Sequence, residues 1–121
     1  MKSLRELMDL TGRVACITGG AGHIGSAMAD ALAELGAAVV VVDLSPDRCA
    51  ETALMLERSR GVESMPLPID LAEETAVRSI PAAVNARFGR QAVYFASAHK
   101  ARDRSSLHIA FNHIPDPETE K

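Results

Sequence analysis

The fold turns on the stretch ITGGAGHIG, residues 17–25. Before it stands RVACIT (13–18), short and apolar, which reads as a buried strand. After it, Ile24, Met28, Ala31, Leu32 and Leu35 recur at helical spacing, so residues 24–35 are expected to form a helix with that stripe on one face. Gly36 then supplies a stop, because glycine adopts the left-handed conformation without a Cβ clash. The glycines between strand and helix follow Gly20-x-Gly22-x-x-Gly25, a dinucleotide-binding spacing. In such a turn one glycine permits the tight bend. A second lets backbone approach a pyrophosphate, and the third lets the helix pack close to the strand. Amides at the helix start would then face the phosphates, aided by the helix dipole.

Working outward, AVVVVD (38–43) is a second strand. A near-continuous valine run implies burial on both faces, as in a parallel sheet. Ser45-Pro46 reads as an N-cap followed by proline at the first helical position, opening a helix that runs to about Arg60 and stops at Gly61. SMPLPI (64–69) is a third strand. Pro66 and Pro68 each remove a ladder donor, so it belongs at a sheet edge with both prolines facing outward. Residues 72–88 form a third long helix, with Val77, Ile80, Val84 and Phe88 on one face and Pro81 expected to kink it or delay its start. Gly89 closes it, and QAVYFAS (91–97) reads as a fourth strand. The expected fold is α/β: a partial Rossmann-type doubly wound parallel sheet of about four strands in the order 3-2-1-4. The first two long helices would cover one face and the third the other. The fourth strand would be left as an exposed apolar edge open to self-association.

Composition narrows the function classes. The chain has 121 residues, enough for one domain, with 47% hydrophobic and 24% charged residues. A net charge of −3 gives no basic field for a nucleic-acid partner. No apolar run is long enough to span a membrane, and charges at Arg5, Glu6 and Asp9 stand where a signal peptide needs apolar residues. A cytoplasmic location is expected. Cys16 and Cys49 are too few for a disulfide scaffold and read as small core residues. His99, His108 and His113 lack metal-ligand spacing. Ser97 with His99, and Ser105 or Ser106 with His108, lack the strained turn and third partner of a hydrolase.

Asp43 ends the second strand, eighteen residues beyond Gly25. A carboxylate there accepts hydrogen bonds from the adenosine ribose hydroxyls and repels a 2′-phosphate, which favours NAD over NADP. No Arg or Lys stands between Thr18 and Asp43 to offset that charge, and Arg48 lies one helical turn into the next element. The plainer alternative is that Asp43 only ends a strand in solvent. A methyltransferase is a weaker reading of the glycine turn, since that class usually carries an acid at the end of the first strand, where Thr18 stands.

The stretch DLTGRVACITGGAGHIG (9–25) resembles the opening strand and turn of the short-chain dehydrogenase/reductase family. That family's usual pattern is T-G-x-x-x-G-x-G. Thr18, Gly19 and Gly25 match, whereas His23 replaces the middle glycine. The spacing Thr18-Gly19-x-x-Gly22-x-x-Gly25 is similar to the variant of the family's extended branch. Asp70-Leu71 resembles the family's Asp-Leu/Val pair that holds the adenine, and Asp70 could equally cap the third long helix. ARFGR (86–90) resembles the segment before the family's fourth strand. The resemblance implies hydride transfer between a nicotinamide and an alcohol or carbonyl. It places NAD on Gly19, Ala21, Gly22, His23, Ile24, Gly25, Asp43, Leu44, Asp70 and Leu71. His23 would stack beside the phosphates or face solvent.

Beyond Arg90 the family's motifs are not met. VYFASAHK (93–100) stands where an Asn-Asn-Ala-Gly run is expected. The only tyrosine is Tyr94, position 98 is alanine, and Lys100 has Ala96 four residues before it, so no Tyr-x-x-x-Lys pair exists. No catalytic residue is assigned. Residues 1–97 are expected to form the partial dinucleotide-binding domain, and 98–121 an irregular, disordered tail. The break near residue 90 reads as a truncation or frameshift. It leaves three outcomes: a cofactor-binding half without catalysis, a non-enzymatic dinucleotide-binding or interaction module, or a non-functional fragment.

Overall fold

The computed structural model describes residues 1–89. Its elements are α1 (Leu4–Met8), β1 (Val14–Thr18), α2 (His23–Glu34), β2 (Ala38–Asp43), α3 (Pro46–Arg60), β3 (Ser64–Pro68) and α4 (Glu74–Phe88). The three strands are parallel, with β2 between β1 and β3. That is the 3-2-1 part of the expected order. The expected fourth strand at 91–97, its open edge, and the irregular tail lie outside the described residues.

The valine run explains why β2 is central. Val39, Val40, Val41 and Val42 are all fully buried. Each contributes about 2 kcal/mol of apolar transfer free energy. Side chains alternate across a strand, so the run feeds two cores. Val39 and Val41 join Ile17, Ala29, Ala33, Cys49, Ala53 and Leu56 under α2 and α3. Val40 and Val42 join Ile80 and Val84 of α4, with Val14, Cys16, Met65, Leu67, Ile69 and Phe88 packed around them. Two helices on one face and one on the other is the expected layering.

The stop and start signals act as their chemistry requires. The Ser45 side chain accepts from the Arg48 amide at 3.3 Å, Pro46 opens α3, and Gly61 ends it at φ 69°. In β3, the Ile69 amide donates to Asp43 O and the Val39 amide to Glu63 O. The odd positions therefore face β2. Pro66 and Pro68 aim their missing donors away from the sheet, as an edge strand demands.

Three expectations change. The buried face of α2 is Ala29 and Ala33 with half-buried Leu32, whereas Ile24 and Met28 are 79% and 53% exposed. Small residues face the sheet because Gly25 brings the helix axis close to the turn below it. The third long helix begins at Glu74 rather than residue 72, and it runs through Pro81 without a break. Residues 70–73 form a turn instead: Asp70 Oδ1 accepts from the Ala72 amide at 2.9 Å and Asp70 O from the Glu73 amide at 3.1 Å. Asp70 thus caps that turn, and Glu73 is the N-cap of α4. Finally, α1 was not expected. A reciprocal capping box makes it: Ser3 Oγ accepts from the Glu6 amide, and Glu6 Oε2 accepts from the Ser3 amide. No helix among the described residues is long and apolar enough to cross a membrane.

Candidate dinucleotide site

The turn after β1 is built almost wholly by backbone. Gly19 has φ 67°, a left-handed conformation that a side chain would strain. The Gly20 amide donates to Val42 O at 3.1 Å, which ties the turn to the end of β2. The Gly22 amide donates to Gly19 O at 3.0 Å and closes the bend. Gly25 sits in the first turn of α2, directly on this bend. A Cβ there would overlap Gly19 O and stand 2.7 Å from the Gly19 carbonyl carbon. The close helix–strand approach expected of the third glycine is therefore present, and its floor is Gly19.

Asp43 closes the other side. Its Oδ2 accepts from the Ala21 amide at 3.1 Å, and its Oδ1 from the Leu44 amide at 2.7 Å. The carboxylate is thus fixed against the glycine turn at the carboxyl end of the sheet. This contact gives Asp43 a structural role at the turn.

These bonds sort the amides of the turn. Gly20, Ala21 and Gly22 spend theirs inside the protein. Helix α2 has Gly22 as N-cap with no side-chain cap, and its first internal bond is Ser26 N–H to Gly22 O. The amides of His23, Ile24 and Gly25 are the ones a helix leaves without partners in its own backbone. They carry the positive end of the α2 dipole. An anion at this turn therefore meets residues 23–25, a narrower set than the whole of residues 18–25.

The remaining expected residues lie around the same rim. His23 is exposed at the first position of α2, and its carbonyl accepts from Ser26 Oγ at 3.2 Å. Ile24, Leu44 and Leu71 follow β1, β2 and β3 in turn and are 79%, 67% and 43% exposed. Each strand tip thus presents one large apolar side chain. Asp70 ends the connection after β3. All ten expected residues lie at the carboxyl ends of the three strands, where open α/β sheets bind ligands. Beneath them Cys49 is fully buried. Burial, and then the nearby Asp43 carboxylate, push its thiol above the usual range. Cys16 is shifted the same way by burial, so neither thiol is poised as a nucleophile. No cluster of metal-ligating side chains occurs among the described residues.

One further residue reaches the turn from the element after Asp43. Arg48, in the first turn of α3, donates from Nη2 to Ala21 O at 3.2 Å. It is the first Arg or Lys after Arg13.

Comparison with known proteins follows the same lines. Residues 13–110 match the model of the short chain dehydrogenase family, beyond Arg90 where the individual motifs were last met. D-threitol dehydrogenase of Mycolicibacterium smegmatis is 38% identical over 93 residues, which cover 77% of this chain and 35% of that protein. L-sorbose reductase from Gluconobacter frateurii, solved with NADPH and L-sorbose, superposes with a TM-score of 0.65 at 35% identity, covering 68% of this chain and 31% of that one. An NAD+-bound xylitol dehydrogenase gives 0.62 at 30% identity, covering 65% and 30%. The chain spans about a third of the length of the curated relatives it matches.

Proposed function

The chain belongs to the short-chain dehydrogenase family, and from that premise we propose that it binds NAD(H) over the turn between β1 and α2. It does so as the nucleotide-binding part of an oxidoreductase acting on an alcohol or carbonyl. The observation that carries this reading is the fixed Asp43 carboxylate, 3.1 Å from the Ala21 amide. It sets an acceptor for the ribose hydroxyls beside the phosphate-facing amides of His23, Ile24 and Gly25. Gly19 and Gly22 keep that approach free of side chains, and Ala21 holds the turn to the acid. Leu44 and Leu71, with Asp70, flank the adenine. NAD is preferred because a 2′-phosphate would be brought against the Asp43 charge.

The residues present fit the cofactor, and when bound the nicotinamide gives or takes the hydride. The chain's own part is to hold and orient it. Tyr94, the only tyrosine of the sequence, has Ala98 four residues on, so no proton-transfer role is assigned to it. A dinucleotide-binding module without catalysis of its own is the second reading.

Isothermal titration with NADH tests the proposal. Binding by the wild-type chain, weakened about tenfold or more in Asp43→Ala, is expected from the loss of charge-assisted ribose bonds. Turnover of an alcohol would restore the full enzyme, and binding without turnover supports the module. A folded chain that binds no dinucleotide would overturn the assignment and leave a non-functional fragment.

A further inference from the structure

His23 is the only histidine among the described residues, and it is the first residue of α2, directly after the N-cap Gly22. Its backbone is held, since its carbonyl accepts from Ser26 Oγ at 3.2 Å. Its imidazole is exposed and makes no hydrogen bond or ion pair with another described residue. An oxygen accepting from the His23 amide lies within about 4.5 Å of the His23 Cα, and the ring nitrogens sit about as far from it. We propose that His23 makes dinucleotide binding proton-linked: its imidazolium pairs with a pyrophosphate oxygen seated on the amides of residues 23–25, so the site takes up a proton on binding and holds the dinucleotide more tightly as pH falls. This rests on the proposed dinucleotide reading and adds a regulation to that same site.

Three features support the assignment. First, the positive end of the α2 dipole opposes a cation at position 23, and the negative charges of a bound pyrophosphate reverse that field. Binding therefore favours the protonated ring, and by reciprocity the protonated ring favours binding. Second, the charged groups on the surrounding elements are engaged elsewhere or leave the ring unpaired. Both oxygens of Asp43, after β2, accept from the Ala21 and Leu44 amides. Asp70, after β3, accepts from the Ala72 amide. Asp30, seven residues along α2, is held by Arg60. In the first turn of α3, Arg48 donates to Ala21 O and the exposed Asp47 forms no ion pair with the ring. Third, the signal separates cleanly by chemistry. Imidazole is the side chain whose ordinary charge change falls between about pH 5 and 8, whereas carboxyls as a class titrate around pH 4 and guanidinium above about pH 12. A pyrophosphate diester keeps its charge across that interval. His99, His108 and His113 lie outside the described residues, so the test rests on variants of His23 itself.

Calorimetric titration of the full chain with NAD+ is run from about pH 5.5 to 8.5, in buffers of different ionisation enthalpy that report the protons taken up, with circular dichroism to verify folding at each pH. Wild-type affinity should rise about fivefold or more from the alkaline to the acid end, the gain of a charge-assisted bond over a neutral one, with a fraction of a proton taken up near the middle. His23→Gln keeps a donor without the titration. It should match wild type at the alkaline end, change by less than about twofold across the range and take up no proton. His23→Lys carries its charge throughout and should bind at the alkaline end as tightly as wild type does at the acid end. Adenosine, which lacks the pyrophosphate, should show no such trend with wild type. A flat wild-type profile overturns the proposal, as does a His23→Gln variant that keeps the wild-type slope and proton uptake. An equal trend with adenosine overturns it as well, by placing the proton away from the pyrophosphate. A folded wild type that binds NAD+ at no pH removes the dinucleotide reading itself, a result distinct from NAD+ binding that ignores pH.

Discussion

Adding one methyl group at Gly25 tests the seat of α2 on the turn. In Gly25→Ala the new Cβ would overlap Gly19 O and lie 2.7 Å and 3.0 Å from Gly19 C and Gly20 Cα. Carbon–carbon contact is comfortable from about 3.5 Å, so helix and turn must part by at least about 0.8 Å, and further to clear Gly19 O. All three obstacles are backbone, and no side chain can rotate away. Overpacking of this kind costs about 3 kcal/mol, the upper end of its usual range. Alanine gains at most about 1 kcal/mol over glycine in helix propensity, and less in a first turn. The net is a loss of about 2 kcal/mol. For a domain of this size that lowers Tm by roughly 10 °C. Far-UV circular dichroism melts of wild type and variant read it directly. An unchanged or higher Tm would mean propensity had won, and that α2 does not rest on Gly19.

Three further outcomes follow from the same geometry. Gly22→Ser places a hydroxyl at the uncapped N-terminus of α2, where φ is −80° and the nearest atom to a Cβ is Gly19 O at 3.3 Å. Its Tm should stay within about 5 °C of wild type while NADH binding, followed by titration, is lost, because the cap gains only a few tenths of a kcal/mol and the side chain fills the phosphate approach. The Asp30 carboxyl is held below its ordinary 3.8 by hydrogen bonds from Arg60, which join α2 to α3 at 2.8 Å and 2.9 Å. A lowered folded value means that this contribution is fully present above about pH 4 and lost as pH falls through it. The stability gap between wild type and Asp30→Asn in urea titrations should therefore be constant from about pH 5 to 7 and close on further acidification; a gap that persists in acid would show the pair is not its cause. Cys49 should resist iodoacetamide at neutral pH until denaturant is added, and Cys16 should react more slowly than free thiol, since both thiols are raised by burial. Mass spectrometry after timed alkylation reads both rates.

Much of this fold was written in short-range chemistry. The valine run at 39–42 admits only a doubly covered strand. Ser45-Pro46 and Gly61 bound α3 by cap, fixed φ and left-handed stop, none of which depends on distant contacts. The paired prolines of β3 name an edge by the donors they lack. What escaped was set by contact across the fold. The inner face of α2 is alanine, and alanines give almost no periodic signal beside Ile24 and Met28, whose exposure comes from the helix's closeness to the turn. Gly19's role as the floor beneath Gly25 needs coordinates, because the Gly20-x-Gly22-x-x-Gly25 pattern does not include it. Likewise, the division of amides into spent and available, and the reach of Arg48 to Ala21 O across a separation of 27 residues, depend on how two connections meet above the sheet. Pro81 lies inside α4, where Ile80 and Val84 on either side of it anchor the helix in its core.

The prolines of β3 also give the sheet a direction of growth. With no donors on its outer flank at positions 66 and 68, β3 is a poor template for a further strand. Strand addition is therefore disfavoured at one flank by composition alone. Among the described residues, the flank of β1 is the one whose strand keeps all its amide donors.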